Sequence, residues 1–336
     1  MTLRLLATAT SLLALTSGGV AYSPADPRSG FVLVANQQSA SASLIDLSTD
    51  TGRIIAVGQG PHEAVIAPSG RVAVVTIYGI SGAPGNQLAV LDIAKGAVTK
   101  TISLGQYTRP HGAMFFPGDE TRVAVTSEAT QNVVLVNIAA GTVEGAIPTG
   151  AAGSHMVAIT ADGKRAFTSD IGAGAVSELD LVKKDLVRVM PVAPRVEGIA
   201  VTPDGSAVWA GSNTDGTVSI IDTGTGQIVE TLKGFKLPYR LAMSADGKTA
   251  IVCDPEGDMI HVADVAARKI AWTLDGLGSP RGVNISPDGK TAFVTLAKDE
   301  TMGIVDLETR KLTRRVKVEK SPDGVWFGPA PQSARE

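Results

Sequence analysis

One short segment recurs seven times along this chain, a mostly apolar run that ends in Asp or Asn. It reads Leu44-Ile45-Asp46, Val90-Leu91-Asp92, Leu135-Val136-Asn137, Glu178-Leu179-Asp180, Ile220-Ile221-Asp222, Val262-Ala263-Asp264 and Ile304-Val305-Asp306. From Asp180 onward the copies stand 42 residues apart. A fixed period of that length restricts the chain to a repeat architecture, in which each unit buries its core against its neighbours.

A second recurring segment has the chemistry of a tight turn. Examples are Thr160-Ala161-Asp162-Gly163, Thr202-Pro203-Asp204-Gly205, Ser244-Ala245-Asp246-Gly247 and Ser286-Pro287-Asp288-Gly289. Pro presets φ early in such a turn, and Asp-Gly supplies the positive φ that closes it. In the fifth repeat the pattern predicts strands at 198–201, 207–211, 217–222 and 228–232. No segment keeps a 3.6-residue apolar period over helical length. Four short strands per repeat predict an all-β fold, a seven-bladed β-propeller of four-stranded antiparallel blades. Aromatics are only 4% of the chain, so its core must be built from Val, Ile, Leu and Ala, which suits short strands.

The ends of the repeat region predict how the ring closes. Phe31-Val32-Leu33-Val34 matches the second strand of a blade, and residues 325–328 match a first strand. The C-terminal strand is therefore expected to join the N-terminal three, giving a propeller over 31–329 and a short tail over 330–336. Residues 1–21 carry Arg4, an apolar stretch and a small-x-small site at Gly19-Val20-Ala21, the pattern of a cleaved signal peptide. The competing reading is a retained anchor, for which the uncharged span is barely long enough. Residues 22–30 read as a linker. The mature protein is expected to be periplasmic or secreted and monomeric, with no membrane association after cleavage. A formal net charge of −3 gives no reason to expect nucleic acid as a partner.

Repeats such as 205–222 (GSAVWAGSNTDGTVSIID) resemble the YVTN family of β-propeller repeats, and the likeness spans essentially 31–329. No clean Tyr-Val-Thr-Asn is present; the nearest forms are Leu33-Val34-Ala35-Asn36 and Ala210-Gly211-Ser212-Asn213. The resemblance implies an exported bacterial propeller. Similar propellers carry lactonase, lyase, metal or haem sites, so fold analogy does not select a function.

The repeat also locates candidate chemistry. First strands line the channel of a propeller, and the residues that start them are His62, His111, His155, Glu197, Tyr239, Arg281 and Asp323. Three of the four histidines fall in this set, on consecutive blades. The residues that follow are Glu63, Gly112, Met156, Gly198, Arg240, Gly282 and Gly324; the four glycines imply close backbone packing. Second-strand ends add Glu128, Asp170 and Asp254.

A wet channel mouth would be polar whatever its function, but polarity alone does not gather histidines on one side. The expected metal ligands are His62, His111, His155 and Glu197, for zinc, copper or iron. Tyr239, Arg240, Arg281, Asp323, Glu128 and Asp170 are expected to contact a small anionic molecule. An enzyme at the same mouth, a lactonase-like hydrolase or a lyase, would use His111, His155 or Glu197 in proton transfer. A third possibility is a protein partner on the top-face loops, including an insertion over 78–87. Cys253 reads as a small core residue, His261 as structural, and the charged run 310–320 as a protected edge strand.

Overall fold

The computed structural model describes residues 29–331. The segment read as a signal peptide, most of the linker and the last five residues lie outside it. The described residues form 28 β-strands in seven four-stranded antiparallel sheets arranged as a ring. No helix occurs among them, and no helix is long and apolar enough to cross a membrane.

Blades 2 to 7 are each built from four consecutive strands. In blade 5 these are β16 (Val196–Val201), β17 (Ala207–Ser212), β18 (Thr217–Asp222) and β19 (Ile228–Lys233), within two residues of the sequence-based limits. Blade 1 has the order β28-β1-β2-β3, so the last strand, β28 (Pro322–Pro329), pairs antiparallel with β1 (Gly30–Asn36). The register runs from Gly30 opposite Pro329 to Asn36 opposite Pro322. Closing the sheet series this way removes the free edges that a linear array would expose.

The Asp that ends each third strand has a local task. Asp180 Oδ1 accepts from the amides of Val182 and Lys183, and Asp222 Oδ1 accepts from Thr225. The carboxylate thereby satisfies turn amides that the ladder leaves unpaired. Most core residues come from the inner three strands of each blade, whereas fourth strands are largely exposed or half-buried and give the core single residues such as Ile147 and, on β27 (Lys311–Lys317), Val316. The insertion over 78–87, expected to be a loop, is an elongated hairpin. Strands β5 (Val72–Ile80) and β6 (Ala83–Asp92) run on together until Ile80 faces Ala83.

Candidate functional site

Inner strands are fixed by a repeated hydroxyl clamp. The Thr126 hydroxyl accepts from the Gly112 amide at 2.8 Å and donates to the His155 carbonyl of the next blade at 2.7 Å. Thr76 does the same between Glu63 and His111, Ser169 between Met156 and Glu197, and Thr295 between Gly282 and Asp323. Each clamp falls where the first two strands shift register, so it holds a small bulge and the neighbouring channel residue together. Glycine follows the channel residue where a neighbour crowds it: a Cβ on Gly112 would stand 2.8 Å from Met156 Cα, and one on Gly198 2.4 Å from the Tyr239 carbonyl.

These constraints bring most of the expected residues into one network. His155 Nδ1 donates to Glu128 Oε2 at 2.8 Å and Nε2 donates to Glu197 Oε1 at 3.0 Å. Arg240 Nη1 donates to the same Glu197 oxygen at 2.9 Å, and its Nε donates to Glu63 Oε1 at 2.9 Å. Asn213 holds the other Glu197 oxygen at 2.7 Å, and Tyr78 donates its hydroxyl to Glu128 Oε1 at 2.9 Å. Asp323 is fully buried 3.9 Å from Arg240, and neither of its carboxylate oxygens has a hydrogen-bond partner. Tyr239 lies under the Arg240 guanidinium, 4.5 Å from ring centre to cation.

Burial and charge set the protonation states. Burial opposes a charge on His155, but the facing carboxylates Glu197 and Glu128 outweigh it and raise its pKa to about 9. Burial would raise Glu197, yet His155 and Arg240 hold it at about 2. Glu63 is pushed up by burial to about 7 against the pull of Arg240. His111 moves well below the usual imidazole range because it is buried beside His155 and His62. At neutral pH the centre therefore pairs a neutral His111 with a cationic His155.

The three histidines adjoin one another. His111 sits 3.7 Å from His155 and 4.8 Å from His62 between ring centres, and His62 stacks on Tyr78 at 4.1 Å. His62 is occupied at both nitrogens, Nδ1 with the Gly60 carbonyl at 2.9 Å and Nε2 with the Gln37 amide at 2.7 Å. The group that could hold a metal ion is thus His111, Glu128 and His155, with ligating atoms all within 4.8 Å of one another. Glu197 stands behind it, on the far nitrogen of His155. His111 Nδ1 is buried and has no hydrogen-bond partner.

Asp170 does not join this network. It pairs with Ser154 across the first two strands of blade 4, where Ser127 pairs with Pro110 in blade 3. Asp170 is therefore equivalent to Ser127, one residue before the Glu128 position, and consecutive strand residues face opposite ways. Its oxygens accept instead from Thr168 and Ser177 at 3.0 and 2.6 Å. Asp254 is likewise turned into its blade, onto backbone amides and His261. The positions truly equivalent to Glu128 include Gln37, Tyr78 and Asn213, all of which touch the network. Aligning the strand ends by register would have found them. Arg281 also lies outside the Arg240 cluster and donates to Ser321 Oγ at 3.1 Å.

Below the charged layer the channel turns apolar. A cavity of about 210 Å³ is lined by Met114, Met156, Met243 and Trp326 among others, with Glu63 and Arg240 as its charged residues.

No protein-family model and no curated protein matches this chain. Among solved structures, a chain of Kuenenia stuttgartiensis hydrazine synthase is similar, with a TM-score of 0.73 at 19% identity, covering 87% of this chain and 98% of that one. At that identity the likeness shows the propeller fold alone.

Proposed function

We propose that the protein is a metal-binding propeller, holding one divalent transition-metal ion at the channel mouth through His111, Glu128 and His155. The observation that carries this reading is the convergence of His111, Glu128 and His155, with ligating atoms within 4.8 Å of one another, together with a buried His111 nitrogen, Nδ1, that has no hydrogen-bond partner. An unsatisfied buried ring nitrogen is costly unless something binds there.

The donor set fits zinc, copper or iron, and Cys253 is buried elsewhere in the core. A metal would take the place of the proton that His155 Nδ1 shares with Glu128. The proton on His155 Nε2 would still be donated to the Glu197 carboxylate, itself held by Arg240 and Asn213, the arrangement by which a carboxylate orients a ligating imidazole. Bonds of about 2.0–2.2 Å place tetrahedral ligand atoms roughly 3.4 Å apart, so the group must contract from 4.8 Å. Charge balance favours a cation as well. Glu63, Glu128, Glu197 and Asp323 face only Arg240 and His155. For the same reason Arg240 is not free to bind an anion.

Zinc, copper and iron titrations, with metal content measured after gel filtration, test the proposal. One equivalent should be retained, and His111→Ala or Glu128→Gln should weaken binding at least 100-fold. Failure of every metal to bind stoichiometrically, or unchanged affinity in both variants, would sink it.

A further inference from the structure

Arg281, which the charged network leaves out, belongs to a second cluster on the same end of the ring. It starts the inner strand β24 (Pro280–Ile285). Lys298 lies in the turn between β25 (Thr291–Leu296) and β26 (Thr301–Asp306), and Lys320 in the loop between β27 and β28. All three line one open cavity of about 460 Å³, which also includes Ser321 and Glu300. Among the described residues, none of the three cations is within ion-pair distance of a carboxylate. The single acid of the cavity, Glu300, is already paired with Lys317 at 2.9 Å, and its carboxyl is held below its ordinary range by that lysine and, less strongly, by Lys320. Nearby Asp299 is taken by Arg315.

Three unpaired cations in one concavity are unusual on a chain whose net charge is −3. Like charges repel, and with Glu300 shared between Lys317 and Lys320 the cavity keeps an excess of positive charge that an anion would offset, although Lys298 and Lys320 are exposed and partly screened. Arg281 is half-buried and donates one Nη1 bond to Ser321 Oγ. Its remaining donors have no protein partner, and a guanidinium presents them as a fork suited to a two-oxygen acceptor. We infer that the cavity of Arg281, Lys298 and Lys320 is a binding site for a small divalent oxyanion, a phosphate or a dicarboxylate. Arg281 supplies the directional contact, and the two lysines supply charge from opposite loops.

The site lies next to the histidines. Ser321 Oγ donates to Gln37 Oε1 at 3.3 Å, and Gln37 meets His62 Nε2 at 2.7 Å. An anion on Arg281 is therefore two side chains from the ring that adjoins His111. The inference itself does not need a metal.

The test is calorimetric titration of the full-length protein, freed of metal on a chelating resin, with inorganic phosphate and separately with succinate. Saturable one-site binding of at least one is expected, weakening as salt is added. Arg281→Ala should weaken it at least 10-fold and Lys320→Ala several-fold. Lys248→Ala, which removes a lysine paired with Asp246 on a different turn, should leave it unchanged. Tighter phosphate than succinate binding would identify a phosphoryl ligand, and the reverse order a dicarboxylate. Absence of saturable binding to either anion overturns the inference, as does wild-type affinity in both Arg281→Ala and Lys320→Ala with unchanged melting temperature. Because metal is absent throughout, neither result bears on the metal site.

Discussion

Glu128 and Asp170 stand on adjacent blades, and their surroundings drive them in opposite directions. Burial would raise Glu128, but the hydrogen bond and charge of His155 hold its carboxyl below the usual range. Asp170 is fully buried among hydroxyls, and burial lifts it to about 7 although Ser177, Thr168 and Ser154 all donate to it. Several neutral donors do not keep a buried carboxylate charged, whereas one imidazolium does. A shift of one residue along the strand decides which of the two environments an acid enters. It thereby separates a group available for binding from one that ties strands together.

If the charged region depends on pairing, the largest effect comes from removing its hub. Arg240→Ala leaves Glu63 and Asp323 buried without their cation and Glu197 with His155 alone, and should cost roughly 3–5 kcal/mol in chemical denaturation. A loss below about 1 kcal/mol would mean that the network is held by something else.

The hydroxyl-bound acid should show the opposite dependence. The folded pKa of Asp170, about 7, exceeds its reference value of 3.8, so the folded chain binds more protons between those limits. Its contribution is therefore fully present below about pH 4 and is lost as pH rises through 7. Asp170→Asn removes that loss. Relative to the parent, the variant should gain roughly 2–4 kcal/mol between pH 4 and pH 8, read from urea midpoints. A difference that stays constant with pH would erase the contrast with Glu128, whose stabilisation is lost instead as pH falls.

Smaller effects grade the framework between them. Thr126→Val strips the clamp from the Gly112 amide and the His155 carbonyl and should cost about 1–3 kcal/mol, with Thr126→Ser recovering most of it. Met243→Leu, in the apolar part of the channel, should change stability by less than about 1.5 kcal/mol. A larger loss there would show that the lower channel is as finely fitted as its mouth.

The repeat made the propeller, its seven blades and its closing strand readable in the sequence, because turn chemistry and apolar runs are local signals. It also identified His111, His155, Glu197 and Glu128. Three things were not local. The bulge in each inner hairpin sets whether a strand-end acid faces the channel, and no residue type announces it; hence Asp170 was grouped with Glu128. Polar but uncharged Tyr78 and Asn213 carried no signal apart from register. The pairing of Arg240 with Glu63 spans 177 residues and exists only once the ring brings blades 2 and 6 across the channel from each other. Of the two arginines expected to meet an anion, that pairing engages Arg240 and leaves Arg281.

The seam of the ring has one more consequence. Among the described strands β28 comes last in sequence, and it carries Asp323 into the channel where it pairs with β1. Without it the other twenty-seven described strands would leave β1 as an open edge, and the central guanidinium would lack one of its acids. Mechanical closure and electrostatic completion depend on the same strand. A chain truncated before residue 322 should therefore lose both the ring's seam and the completed charge cluster.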